Sequence, residues 1–146
     1  MLSVHDIAAY ILSKMPTPLS AVKLHKLVYY AQAWSLVWED HPLFAERIEA
    51  WVNGPVVPSL YDFHRGNYQV SEWPKGIPDS IPLEDATTID SVLKFYGDKS
   101  SQWLTDLTHS ENPWIIARKG LGPNQRGNSE ITLESMLEYY SGIRQA

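Results

Sequence analysis

The sequence predicts a mainly α-helical domain with a small β-hairpin or short two- to three-stranded sheet, packed around one central helix. Three observations carry that prediction. Apolar residues recur with helical period over residues 19–39, where Leu24, Leu27, Val28, Ala31, Trp34 and Trp38 form a stripe that Tyr30, Ala33 and Val37 widen. Residues 44–52 instead alternate, with Ile48, Ala50 and Val52 on one side and Arg47, Glu49 and Trp51 on the other, before an Asn53-Gly54-Pro55 turn. At 146 residues, with 44% apolar and 20% charged side chains, the chain has the size and balance of a single domain spanning 1–146.

The elements follow in order. Ser3 reads as the cap of a first amphipathic helix over about 4–14, with Asp6 reaching back to complete the cap. Met15-Pro16-Thr17-Pro18 ends that helix, and Thr17 is the expected cap of the next. The central helix carries few polar residues, namely Lys23, Lys26 and Gln32, so neighbours are expected on at least two of its sides. Asp40-His41-Pro42 turns the chain into the strand. Asn-Gly tolerates positive φ at both positions, and Pro55 forbids a helical Gly54, so the chain must bend there. Val56-Val57 can pair back before Pro58 opens a short helix through Phe63.

Residues 66–82, with Gly66, Pro74, Gly76, Pro78 and Pro82, show no period and read as a surface loop. Ile89, Val92, Leu93 and Tyr96 define a helix that Gly97 stops. Ser100 caps another with Trp103, Leu104 and Leu107. Asn112-Pro113 starts a short helical turn, and Thr132 caps a last helix carrying Leu133, Met136, Leu137 and Tyr140.

Composition narrows the function classes. With no cysteine there is no disulfide framework and no thiolate chemistry, and a cytoplasmic location is expected. The first residues lack a basic leader and a cleavage site, and no apolar run approaches the roughly 20 residues of a membrane span. The net charge is −5 and no segment is basic, which argues against nucleic acid as a partner. Six Trp and eight Tyr, in contrast, suit both a core and an interface.

Catalytic signatures are absent: there is no phosphate-cradling glycine loop, His-Glu-x-x-His or Gly-x-Ser-x-Gly. Glu46 and Glu49 would point to opposite faces of a strand, and none of the five histidines recurs at i, i+4, so neither a catalytic residue nor a metal or cofactor site is assigned. His109, in Thr108-His109-Ser110-Glu111-Asn112-Pro113-Trp114, reads first as part of a capped helix junction. Lys23 and Lys26 beside Tyr29-Tyr30 could face nucleic acid, but such a helix more often is core. Trp51, Tyr61, Tyr68 and Trp73 gather near the turn and the Pro-rich loop, which makes Tyr68, Trp73 and Arg65 the expected partner-binding surface.

Three blocks carry a family resemblance: Lys23 to Trp34, Glu49 to Tyr61, and Thr108-His109 with Pro113-Trp114. Together they resemble the Panacea antitoxin domain of the phage-associated GepA-like and SocA-like proteins, over about residues 3–140. The resemblance implies an antitoxin that neutralises a cognate protein toxin encoded beside it by direct binding, with a protease as a further partner in members that act as adaptors. It also implies no shared enzymatic activity. The motif residues it carries over are Lys26, Tyr30, Trp34, Glu49, Trp51, Gly54, Pro55, Val56, Pro58, Tyr61, His109, Pro113 and Trp114, read mostly as structural. Glu49, Lys26 and His109 are expected to meet in a buried polar network. The alternatives are a nucleic-acid-binding or phage regulatory module, and below it an enzyme centred on His109, Glu49 and Arg118.

Overall fold

The computed structural model describes residues 2–145. Helix α1 (Val4–Lys14) begins at Ser3, whose hydroxyl accepts the His5 amide at 3.1 Å. Asp6 does not close that cap; its carboxylate accepts the Ile77 amide instead, at 2.8 Å. Helix α2 (Ala21–Glu39) starts later than its periodicity predicts and is capped by Ser20 rather than Thr17, the Ser20 hydroxyl accepting the Lys23 amide at 3.1 Å. The reason lies far away in the chain. Leu19–Ser20 is an extended strand, β1, paired antiparallel with β4 (Gln69–Val70), so Ser20 is held in the β region that an N-cap requires.

The central helix is buried on almost every side, with α1, β3 (Gly54–Val56), α4 (Leu83–Tyr96), α5 (Ser101–His109) and α7 (Leu133–Gln145) packed against it. Its buried Gln32 clamps the segment after it: the side-chain amide donates to the Phe44 carbonyl at 2.9 Å and its oxygen accepts the Leu43 amide at 2.7 Å. Asp40, at φ 59°, ends the helix in the left-handed conformation.

Strand β2 covers only Ile48–Trp51, shorter than its alternating pattern, because Phe44 pairs with Leu2 and is buried in the core on its own account. Within the strand the alternation holds, Ile48 and Ala50 being buried and Glu49 and Trp51 half-buried. β2 is the middle of a three-stranded antiparallel sheet, β3-β2-β5, with β5 at Glu130–Ile131. Trp51 faces Gly54, so Val52 and Asn53 form the hairpin loop and only Gly54 takes a positive φ, of 120°. Pro55 is tolerated because β3 is an edge strand, where its missing N–H breaks no ladder bond.

Helices α3 (Pro58–His64) and α6 (Asn112–Ala117) each carry a proline in their first turn. Ser100 caps α5 and Thr132 caps α7 through the Trp103 and Ser135 amides. Gly97 stops α4, donating to Leu93.

Residues 66–82 are more than a surface loop. They form a strap containing β4 and a 3-10 turn at Pro78–Ser80, with Val70 and Trp73 buried. The Trp73 indole donates to His5 Nδ1 at 3.0 Å. Gly76 lies so close to α1 that a Cβ would stand 1.9 Å from the His5 carbonyl oxygen. The aperiodic sequence hid this because a strap anchors at separate points rather than along one face.

Candidate functional site

The three sequence blocks converge beneath the β2–β3 hairpin. Gly54 passes directly over the end of Lys26: a Cβ there would lie 2.9 Å from Lys26 Cε, 3.0 Å from its Nζ and 3.1 Å from Thr108 Oγ1. Glycine is required twice over, by that approach and by its φ. From the third block, the Trp114 indole donates to the Trp51 carbonyl at 2.9 Å, and His109 stacks on Trp114 with ring centroids 4.0 Å apart. Pro113 is buried at the start of α6.

Lys26 is 1% exposed, and among the described residues its ammonium makes no hydrogen bond and no ion pair. Burial lowers its pKa to about 8. His109 is also pushed below the usual imidazole value, first by burial and then by the Lys26 charge. Glu49 does not join them. Its carboxylate accepts the Trp51 indole N–H at 2.8 Å and pairs with Arg47 at 3.1 Å, because it lies on the half-buried side of β2. The expected Glu49–Lys26–His109 network is therefore absent.

The carboxylate buried against the central helix's tyrosines is Glu111 instead. It accepts the Tyr30 and Tyr140 hydroxyls, each at 2.7 Å, and Tyr140 also meets the Tyr29 hydroxyl at 2.9 Å. Burial raises the Glu111 pKa while the two phenols oppose that rise. Trp34 donates to the Tyr96 hydroxyl at 2.9 Å. These bonds tie α2 to α4, α7 and the turn before α6. Tyr29, Tyr30 and Lys26 are all buried, so these three residues do not form the basic aromatic surface that a nucleic-acid reading needs.

Arg118 is structural in the same way. It is 5% exposed and donates to the backbone carbonyls of Ala50, Gly122 and Gln125, which fixes the 120–129 segment against the sheet. No hydrogen bond joins Arg118, His109 and Glu49 among the described residues. A catalytic cluster of those three is not formed. No group of three or more metal-ligating side chains gathers among the described residues either.

Lys26 lines an open groove of about 680 Å³ between the start of α2, the hairpin, α3 and the 126–128 segment. Trp51 and Tyr61 form one wall in an edge-to-face pair, centroids 4.9 Å apart, and Tyr68 stands on the rim 90% exposed. Arg65 is exposed beside it, 6.0 Å over the Tyr61 ring. Trp73, expected on this surface, is 5% exposed and belongs to the core, because the strap turns its indole toward His5. Val56 and Asn53 complete the hairpin side, and Pro58 starts the helix that carries Tyr61.

His25 and His64, scattered in sequence, meet in the groove wall with Nε2 atoms 2.8 Å apart. Because His25 Nδ1 accepts the Val57 amide at 3.1 Å, its proton sits on Nε2 and is donated to His64. Burial holds His25 far below its usual pKa, at about 3, with His64 and Lys26 adding to the shift. One weak sign of this pair was legible in the chain, a histidine on the apolar central helix. Nothing in it linked positions 39 residues apart.

No helix among the described residues is long and apolar enough to cross a membrane. The family profile described as "Antitoxin SocA-like, Panacea domain" matches residues 24–115, which begin two residues before Lys26 and end one after Trp114. The chain is also similar to the antitoxin SocA of Caulobacter vibrioides (strain NA1000 / CB15N), 31% identical over 120 residues, covering 73% of this chain. The chain spans 64% of that protein's length. No solved structure matches.

Proposed function

Because the chain belongs to the SocA-like antitoxin family that carries the Panacea domain, we propose that it is itself an antitoxin, neutralising a cognate protein toxin by direct binding rather than by catalysis. The contact face in this reading is the groove and its rim, with Tyr68 and Arg65 reaching outward. One observation carries the placement. The groove is large and walled by aromatic rings, and Lys26 and Arg126 line it with no carboxylate, in a chain whose net charge is −5. The residues that an enzyme would need are spent on structure, Arg118 on backbone carbonyls and Glu49 on Arg47 and Trp51.

The test is co-expression with the toxic product of the adjacent gene. Rescue of growth and co-purification of a complex are expected, and failure of both overturns the reading. Following toxin turnover in the same cells separates two mechanisms. Accelerated loss of the toxin adds a protease and an adaptor role, whereas rescue at constant toxin level is neutralisation by binding alone. Replacing Tyr68 and Arg65 by alanine is expected to weaken the complex at least tenfold, with the melting temperature unchanged, because both side chains are exposed.

A further inference from the structure

We propose that the groove is a carboxylate-binding site, and that an Asp or Glu side chain of the partner polypeptide seats on the Lys26 ammonium. This rests on the antitoxin reading and adds the chemistry of the contact. Lys26, on the central helix, is 1% exposed and has no ion-pair partner among the described residues, and its ammonium is not sealed off but opens on the groove, so its charge is compensated by nothing inside the fold. The fold is nevertheless built around it. Gly54 gives up its side chain and adopts a φ of 120° so that the hairpin can pass over Cε and Nζ.

Nothing inside the groove neutralises the charge. Its walls are Trp51, Tyr61, the neutral His25–His64 pair and side-chain amides, and its second charge, Arg126, has the same sign. Ala21 and Val22, from the first turn of α2, line it as well and bring the positive end of that helix dipole. The ligand is therefore an anion. Lys26 is the one buried cation of the groove, Arg126 being exposed, and a compact ammonium between aromatic walls suits the single charge of a carboxylate carried on an apolar segment. A phosphate would call for several converging donors.

The experiment uses the purified complex with the product of the adjacent gene. Lys26→Met removes the charge at similar length and is expected to weaken the complex at least tenfold while the free protein melts no lower than wild type. Independently of any Lys26 variant, an acid-to-amide scan of the toxin against the wild-type antitoxin is expected to find one Asp or Glu whose replacement costs as much. Combined with Lys26→Met, that replacement should add little further loss. A complex indifferent to Lys26→Met, or a scan in which no acidic residue matters, overturns this inference and leaves the antitoxin reading standing. Absence of any wild-type complex overturns both.

Discussion

Gly54 is constrained in two ways at once, by its backbone angle and by what lies beneath it. Its φ of 120° is unfavourable for an L side chain, and an added methyl group would sit 2.9 Å from Lys26 Cε and 3.1 Å from Thr108 Oγ1. Gly54→Ala is expected to cost about 2–4 kcal/mol in urea unfolding; a cost below about 0.5 kcal/mol would show that Lys26 swings aside freely. The buried histidines set a pH response. His25, at about 3 in the fold against 6.5 unfolded, contributes stability that is fully present above pH 6.5 and is lost as pH falls toward 3. His5, His64 and His109 are lowered too, chiefly by burial, and act in the same direction. Glu111 is raised by burial and opposes them, its contribution being complete below its unfolded value of 4.5 and lost as pH rises through its folded value. His41, raised by its hydrogen bond to Asp85, also opposes them but is largely exposed. With four lowered imidazoles, three of them buried and His109 half-buried, against these two, the urea midpoint is expected to drop between pH 7.5 and pH 5, and a midpoint that rises would contradict the assigned neutral pair.

Among the elements, those whose ends depend on near neighbours were readable from the chain. Ser3, Ser100 and Thr132 each cap a helix through an amide two or three residues on, which is the distance over which sequence patterns act. The start of α2 was not readable, since Ser20 owes its extended conformation to Gln69 on a distant strand. The strap shows the same limit, its docking on α1 depending on Gly76, Trp73 and Ile77 meeting His5 and Asp6. Gly76→Ala is expected to unseat it, because the His5 carbonyl oxygen occupies the space a methyl group needs. Proteolysis within residues 66–82 should then accelerate at least tenfold while far-UV dichroism stays close to wild type, and an unchanged cleavage rate would mean that α1 shifts to make room.

Across the whole molecule, one contiguous apolar core runs from α1 through α7, and the Tyr29–Tyr140–Glu111–Tyr30 bonds tie its first half to its last. Unfolding is expected to be a single transition, with tryptophan fluorescence and far-UV dichroism coincident. Two separated transitions would show that α7 melts on its own. Tyr140→Phe, which removes the hydroxyl shared by Tyr29 and Glu111, is expected to cost about 1–3 kcal/mol, because Glu111 then stays buried with one fewer donor. By itself the sequence determined the helical class, the central helix, the alternating strand and the family, since helix and strand periods and short motifs are local properties of the chain. It also placed Lys26, Gly54 and Trp114 among the motif residues. Only the tertiary structure decided that these three meet, that Glu49 stays apart while Glu111 is buried against Tyr30 and Tyr140, and that Trp73 is core while Tyr68 is exposed. Those outcomes rest on contacts between residues dozens of positions apart, and packing, rather than any local preference, chooses which side chain loses its water.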